Sequence, residues 1–200
     1  MTTAKRADDA VESPAIDPGH FRRCLGRFST GVTVVTYRSG SGVRGATMNS
    51  FTSVSLDPPL VLLCLARTTT AASVLEHVPF AINVLRSDQM DVALQFAGRS
   101  QPRLKLAWQE EPGSGDPPVL AGTVATLSCR PWRRYDGGDH LLQLGEVTRA
   151  EVREGEPLVF MDGRFMSTGL PLLDGPLVHD LIGPPAPGWA GAAYRLHHTA

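Results

Sequence analysis

The spacing of apolar residues changes from helical to strand-like near the start of the patterned part of the chain. Apolar side chains recur at helical spacing over 21–28, soon after Asp17 and Pro18, so a helix is predicted with Asp17 as its N-cap. Gly31 is predicted to end that helix. The β-branched run 32–37 then predicts the first strand.

Most of the remaining patterned segments are short and strand-like. The uninterrupted apolar run 60–66 is typical of a strand buried on both faces, whereas Ala125, Leu127 and Cys129 alternate with polar residues as in a half-buried strand. Strands are predicted over 32–37, 43–49, 60–66, 80–85, 125–130, 140–152 and 157–162, and helices over 70–77 and, capped by Ser87, over 87–96. Many short strands with few helices favour a mainly β fold with helical additions, a closed antiparallel barrel.

One domain accounts for the patterned part of the chain. Its bounds are predicted at 17–165, which is enough chain for one well-buried core. Residues 1–16 are polar and are expected to form a disordered arm. Residues 166–200 are rich in Pro and Gly and are expected to form a tail packed on the surface.

Composition and charge argue against several classes of function. A formal net charge of -1 gives no basis for a nucleic-acid partner or an anionic membrane. The longest apolar run, 60–66, is too short to span a bilayer, and the N-terminus has no hydrophobic export segment. A cytoplasmic protein with no membrane partner is therefore expected. The histidines lack metal-ligand spacing, so no metal is predicted.

A glycine pattern at 40–45 matches the dinucleotide-binding fingerprint in its letters only. It reads Gly-Ser-Gly-Val-Arg-Gly and follows a strand, but that fingerprint also needs a helix directly after it and an acidic residue about 20 positions further on. The residues that follow are poor helix formers, and 60–66 carries no acid. A hairpin turn is therefore predicted here.

Three polar segments are candidates for ligand binding, and each also has a purely structural interpretation. Six of the nine residues over 47–55 carry a hydroxyl or an amide, and they either bind a polar heteroaromatic ring and a phosphate or form a plain edge strand. Residues 67–70, Arg-Thr-Thr-Thr, either bind a phosphate at a helix start or simply cap it. His140 follows Gly-Gly-Asp and either touches a substrate or completes a turn.

Taken together, these segments resemble one known family. Residues 49–63 are similar to the flavin-binding segment of the flavin reductase-like, FMN-binding split-barrel family, which includes the reductase components of two-component flavin-dependent monooxygenases. Shorter matches follow the family's order and spacing over 21–35, 80–85, 95–98, 137–140, 145–147 and 163–165. Phe165 stands where the family usually has tyrosine, and 67–70 differs from the family's commoner serine-rich version.

The resemblance implies a homodimer of six-stranded antiparallel split β-barrels with a flavin near the subunit interface. Contacts to the ring and ribityl chain would come from Thr47, Asn49, Ser50, Ser53, Val54 and Ser55. The phosphate would meet Arg67 and Thr70, the ribityl-phosphate or adenine end would meet Thr30 and Thr33, and Phe96, Gly98 and Arg99 would close the pocket. His140 matches a position linked to nicotinamide binding and is the candidate catalytic residue.

The activity implied is that of an NAD(P)H:flavin oxidoreductase that supplies reduced FMN or FAD to a partner flavin-dependent oxygenase component. The cofactors carry the hydride chemistry, which agrees with the lack of a recognisable protein nucleophile. Two alternatives stay open. One is a flavoprotein that retains its flavin and acts as an oxidase or oxygenase, and the other is a non-catalytic flavin-binding module. The sequence does not distinguish FMN from FAD as the flavin, or NADH from NADPH as the hydride donor.

Overall fold

The computed structural model describes residues 16–40, 42–109 and 116–169. The predicted N-terminal arm lies outside the described residues apart from Ile16, and so does the predicted tail apart from 166–169. Within the described ranges, no helix is long and apolar enough to cross a membrane.

The described part of the chain is built mainly from strands. The three helices are α1 (Pro18–Gly26), α2 (Thr70–Val74) and α3 (Met90–Phe96). The strands are β1 (Thr30–Gly31), β2 (Thr33–Ser39), β3 (Gly42–Met48), β4 (Thr52–Leu56), β5 (Pro59–Ala66), β6 (Phe80–Val84), β7 (Ala125–Gly137), β8 (His140–Val152), β9 (Val159–Met161) and β10 (Arg164–Met166).

These strands form one large antiparallel sheet and one small one. The large sheet has seven strands in the order β3-β2-β6-β7-β8-β5-β4, and the small sheet has the order β1-β9-β10. The mainly β class is confirmed, but the strand count exceeds the predicted six, because the large sheet alone has seven strands and β1, β9 and β10 form a separate sheet. Strands β3 and β4 are the two edges of the large sheet, and residues 49–51 connect them. The polar segment 47–55 therefore runs across the opening between the edges.

Strand β2 lies between two hydrophobic clusters. Val35 and Tyr37 belong to a cluster formed with β5, β6 and α2, while Val34 belongs to a second cluster with α3 and Leu158. Because successive side chains of a strand point to opposite faces, β2 is buried on both sides. The second cluster fixes α3 and β9 against β2, and these elements border the site described below.

The sequence places several boundaries correctly and others incorrectly. Asp17 caps α1 as predicted, since its carboxylate accepts from the His20 amide at 2.6 Å. Gly31 does not end the helix, because α1 ends at Gly26 and Gly31 enters the short strand β1. Helix α3 begins at Met90 rather than near Ser87, whose amide donates to the Glu156 carbonyl at 2.8 Å. A turn at Ser87 and Asp88, closed by the Gln89 amide donating to the Arg86 carbonyl at 2.9 Å, follows that pairing and precedes α3.

Two burial predictions are wrong for the chain on its own. Only one face of β5 is fully covered, with Val61, Leu63 and Leu65 buried and the intervening residues partly buried. In β7 the register shifts between Ser128 and Cys129, so Thr126 and Cys129 are the buried positions and simple alternation fails. At this shift Ser128 pairs with Arg149 and Cys129 with Val147, so the unpaired residue of the bulge is Thr148 on β8.

The hairpin prediction for residues 40–45 is confirmed. Strands β2 and β3 pair antiparallel from Thr33 opposite Met48 to Ser39 opposite Gly42. Gly40 has a φ of 60°, a conformation that glycine adopts at little cost. No nucleotide-binding helix follows, because the next element is the edge strand β4.

Candidate functional site

Two cavities lie on either side of Asn49, at the end of β3. We call the first the apolar cavity; its volume is about 310 Å³ and its lining is Val32, Thr47, Met48, Asn49, Leu94, Ala97, Arg99, Phe160, Gly163 and Phe165. We call the second the hydroxyl cavity; its volume is about 590 Å³ and its lining is Phe28, Ser29, Thr30, Gly31, Thr33, Asn49, Ser50, Phe51, Thr52 and Val84. Their shared residue, Asn49, is exposed to solvent.

Hydroxyl groups dominate one wall of the hydroxyl cavity, and they differ in how they are used. Thr33 donates to the Met48 carbonyl at 2.9 Å, which holds the start of β2 to the end of β3. Ser50 donates to the Cys64 carbonyl at 3.0 Å and accepts from the Cys64 amide at 3.2 Å, so it ties the connecting segment to β5. Thr30 Oγ1 is buried and, among the described residues, has no hydrogen-bond partner. A buried hydroxyl without a partner is costly, so it is available to a ligand.

The apolar cavity is built by the small sheet and α3. Thr30 pairs directly with Phe160 across β1 and β9, and the Phe160 and Phe165 rings meet edge to face with centroids 5.4 Å apart. On the opposite wall, α3 is seated closely because Gly45 has no side chain. A Cβ at Gly45 would lie 2.7 Å from the Phe96 ring. The cavity thus has flat apolar walls and a polar edge at Asn49.

Arg99 brings a positive charge to the mouth of the apolar cavity. The chain turns after α3 at Gly98, whose φ is 80°, and the Arg99 amide then donates to the Leu94 carbonyl at 2.9 Å. Within the part of the chain that the structure describes, no carboxylate pairs with the Arg99 guanidinium. An exposed, unpaired guanidinium beside a cavity suits an anionic ligand group.

A second group of charged residues surrounds the turn between β7 and β8. We call it the turn cluster: Arg67, Asp136, Gly138, Asp139 and His140. The Arg67 side chain donates from Nε to the Gly138 carbonyl at 2.7 Å and from Nη2 to the Asp136 carboxylate. The Gly138 amide and Arg67 lower the pKa of Asp136, and the hydrogen bond from His140 lowers that of Asp139.

The imidazole of His140 is oriented by its neighbour. His140 Nδ1 lies 2.7 Å from the Asp139 carboxylate. An ionised carboxylate only accepts hydrogen bonds, so Nδ1 carries a hydrogen and donates it, and Nε2 is the ring nitrogen that Asp139 does not contact. His140 pairs with Ala66 across β8 and β5, two residues from the Ser50–Cys64 link. At the rise of a strand this is a separation of about 7 Å along β5, so the turn cluster adjoins the segment 49–50.

The structure brings together only part of the residue set that the sequence predicts. Thr30, Thr33, Thr47, Asn49, Ser50 and Arg99 line one or both cavities. Ser53, Val54 and Ser55 instead lie on the edge strand β4, where the register shifts between Ser53 and Ser55. Phe96 packs against Gly45 beside the apolar cavity, and Gly98 turns the chain towards Arg99.

The phosphate contacts expected of Arg67 and Thr70 stay a prediction, and both residues lie away from the two cavities. Arg67 is engaged by the turn cluster. Thr70 is exposed in the first turn of α2, and the capping contact comes from Thr69, whose hydroxyl accepts from the Ala72 amide at 3.2 Å. Neither residue lines the apolar or the hydroxyl cavity.

Sequence reasoning missed the aromatic walls. Phe28 and Phe51 border the hydroxyl cavity, and Phe160 and Phe165 border the apolar cavity. The signal at Phe160 and Phe165 is weak in the sequence, since the two strands of this hairpin have only three residues each. Among the described residues, no group of three or more His, Cys, Asp or Glu side chains could hold a metal ion.

Comparison with known proteins gives consistent matches. A family model described as the flavin reductase like domain matches residues 25–169. The FMN reductase (NADH) of Agrobacterium fabrum is 44% identical over 146 residues, covering 72% of this chain and 83% of that protein. The NADH-dependent FAD reductase of Streptomyces globisporus is 45% identical over 170 residues, covering 78% of this chain and 90% of that protein.

A solved structure agrees with these sequence matches. The NADH:FAD oxidoreductase of Streptomyces globisporus, in complex with NAD and FAD fragments, matches with a TM-score of 0.71 at 41% identity, covering 80% of this chain and 100% of that one. The predicted family and the predicted class of enzyme, a flavin reductase, are thereby confirmed. The chain belongs to the flavin reductase like domain family.

Proposed function

We propose that this chain uses NADH or NADPH to reduce FMN or FAD and passes the reduced flavin to a separate flavin-dependent oxygenase. The observation that carries the proposal is the pair of cavities that meet at Asn49, one with flat apolar walls and the other rich in hydroxyl groups. A flavin has both characters, since its ring is flat and largely apolar with a polar edge, and its side chain carries hydroxyl groups and phosphate.

The side chains at the two cavities fit a flavin. The buried Thr30 hydroxyl without a partner gives a ligand a hydrogen-bonding site that the protein leaves unused. Phe160 and Phe165 offer apolar surface beside it. Asn49, reachable from both cavities, presents an amide that can both donate and accept. Arg99 supplies a charge for a phosphate.

Within this scheme the protein binds and orients, and the cofactors carry the reaction. A bound flavin supplies the ring that takes up hydride from the nicotinamide. His140, with Nδ1 fixed by Asp139, presents its other edge for the nicotinamide dinucleotide. No protein nucleophile is required. Cys129 in particular takes no part, because burial raises the pKa of its thiol to about 12.

The edge strand β4 extends the proposed site. Thr52 lines the hydroxyl cavity and is the first residue of β4, so Ser53, Val54 and Ser55 continue directly from the cavity wall. Ser53 is exposed, and Val54 is 49% exposed. In the proposal a flavin reaches from the cavities over this strand, close to a second subunit.

A homodimer would cover the apolar surface that the single chain leaves open. Helix α1 buries no residue, and Phe21, Leu25 and Phe28 on or beside it are between 50% and 77% exposed. Val54 and Leu56 on β4 are also about half-exposed. Contiguous exposed apolar surface of this kind marks interfaces. A Leu25→Lys change should therefore convert a dimer to a monomer, which sedimentation equilibrium measures directly.

The direct test of the activity is steady-state oxidation of NADH and of NADPH with FMN, FAD or riboflavin in excess. The proposal expects many turnovers per protein chain with free flavin. Gel filtration of the flavin-loaded protein should release the flavin, whereas a retained-flavin oxidase would keep it. Flavin binding without nicotinamide oxidation under any of these conditions would identify a non-catalytic binding module.

A further inference from the structure

Arg67 has the residue type expected of a phosphate ligand, but its side chain is committed elsewhere. Its Nε donates to the Gly138 carbonyl at 2.7 Å, and its Nη2 donates to the Asp136 carboxylate. Its own backbone amide donates to the Asp139 carbonyl at 3.2 Å. Three contacts thus join Arg67 to Asp136, Gly138 and Asp139, the residues around the turn that precedes His140.

The turn needs such support because two of its residues are glycines. Gly138 has a φ of 77°, and glycine has more backbone freedom to lose than any other residue. Asp136 accepts from the Gly138 amide at 2.9 Å, so one carboxylate receives hydrogen bonds from both the turn and Arg67. Arg67 and Asp136 together close the turn from its two sides.

We infer that Arg67 is a positioning residue: it fixes the Gly137–Gly138–Asp139 turn and thereby the place of His140 for the nicotinamide dinucleotide. The role given to His140 rests on the proposed function, but the effect of Arg67 on the turn does not depend on it. Asp139 completes the chain of contacts, because its carbonyl is held by the Arg67 amide and its carboxylate holds His140 Nδ1.

The local charge argues against Arg67 as a phosphate ligand. The turn cluster has one guanidinium and two carboxylates, Asp136 and Asp139, whose pKa values both lie below the usual range, and Arg22 adds a positive charge near Asp139. Both carboxylates are therefore ionised at neutral pH, and the charge of Arg67 is already balanced by its ion pair with Asp136. Arg99 differs in this respect, since no carboxylate among the described residues pairs with it.

The first arm of the test uses flavin-free protein and reads amide hydrogen exchange. Arg67→Ala should raise the exchange rate of the Gly138 amide at least about tenfold, because its acceptor Asp136 loses its anchor. Arg67→Met, which keeps most of the side-chain length and removes the donors to Gly138 and Asp136, should do the same if the Arg67→Ala protein folds poorly. Arg130→Ala is the matched control, since Arg130 makes a two-bond pair with Glu146 on the same hairpin, away from the turn.

The second arm separates positioning from phosphate binding. Arg67→Ala should lower kcat/KM for NADH about tenfold or more, while the affinities for FMN and for riboflavin each change less than about threefold. Arg67→Lys should recover part of the loss, because an ammonium reaches one of the two acceptors. Combining Arg67→Ala with Asp136→Ala should add little to either single change, since both break one network.

Each outcome decides the inference. Faster exchange at Gly138 together with the NADH defect supports it. Unchanged exchange overturns it whatever the kinetics are. A large loss of FMN affinity with riboflavin affinity unchanged also overturns it, because Arg67 would then bind phosphate. Faster exchange in a protein whose parent form oxidises no NADH would support the positioning of the turn and reject the proposed function instead.

Discussion

The cavity region around Thr30 and Asn49 and the turn cluster around Arg67 contain similar polar residues in opposite states. At the cavities, polar groups have unused hydrogen-bonding capacity: the Thr30 hydroxyl has no partner among the described residues, and Asn49 lines both cavities. In the turn cluster, Arg67, Asp136 and Gly138 satisfy one another. Residue type alone suggests a ligand site in both places.

Spare hydrogen-bonding capacity therefore marks a candidate ligand contact more sharply than residue type does. A buried polar group without a partner in the protein lowers the free energy of unfolding, or it forms its hydrogen bond with a bound ligand. A charged group that already has a partner within the protein instead helps to hold the protein's own structure in place.

Filling the space at Asn49 should have the largest effect. Asn49→Trp places an indole where the two cavities meet, so flavin affinity should fall at least about 100-fold through overpacking against the ligand. Fluorescence titration with FMN and FAD measures it. Val152→Trp is the control, because Val152 is 86% exposed at the end of β8. Unchanged flavin affinity in a folded Asn49→Trp protein would place the flavin elsewhere.

His140→Ala should have the next largest effect, and on a different quantity. Loss of a positioning contact to the nicotinamide should lower kcat/KM for NADH about 100-fold, with flavin affinity within about threefold. Stopped-flow kinetics and flavin titration on the same variant separate the two quantities. If kinetics stayed normal and only the melting temperature fell, His140 would be a residue of the turn alone.

Thr30→Val should give a smaller and more diagnostic change. The substitution removes a hydroxyl that the protein leaves unpaired, so the melting temperature should hold or rise while flavin affinity falls about tenfold. Thr47→Val is the matched comparison, because the Thr47 hydroxyl donates to the Ala93 carbonyl at 2.6 Å. That variant should lose about 1 kcal/mol of the free energy of unfolding. Equal destabilisation of both variants would contradict the contrast.

The smallest expected effect concerns the buried thiol. Burial raises the pKa of Cys129 to about 12, so at pH 8 the reactive thiolate is about one part in 10,000. Treatment of the native protein with iodoacetamide at pH 8 should leave Cys129 unmodified, as peptide mass spectrometry would report. Denatured protein, in which the thiol is exposed, is the control. Labelling of Cys129 in the native state would show that β7 opens readily.

Local features of the fold were accessible from the sequence. The strand β8 occupies 140–152 as predicted, and Asp17 caps α1, because hydrophobic pattern and capping chemistry act over a few residues. The bulge between Ser128 and Cys129 was not accessible, since a register shift depends on the partner strand.

The site was predictable to the same extent and for the same reason. Asn49 and Ser50 stand out by composition and by resemblance, and they do line a cavity. The residue type of Arg67 indicates a phosphate contact, and its hydrogen-bond partner in the fold, Asp136, lies 69 positions away in the chain. Pairing of that kind is decided by the β5–β8 register, which short-range patterns do not encode.

The most direct test of the account is a single anaerobic turnover. Protein loaded with one equivalent of flavin is mixed with NADH, and in a second run with NADPH, while the yellow colour of oxidised flavin is followed in a stopped-flow instrument. The account predicts rapid and complete bleaching with at least one nicotinamide, and much slower bleaching in the His140→Ala protein. Flavin that stays bound and oxidised with both nicotinamides would contradict it.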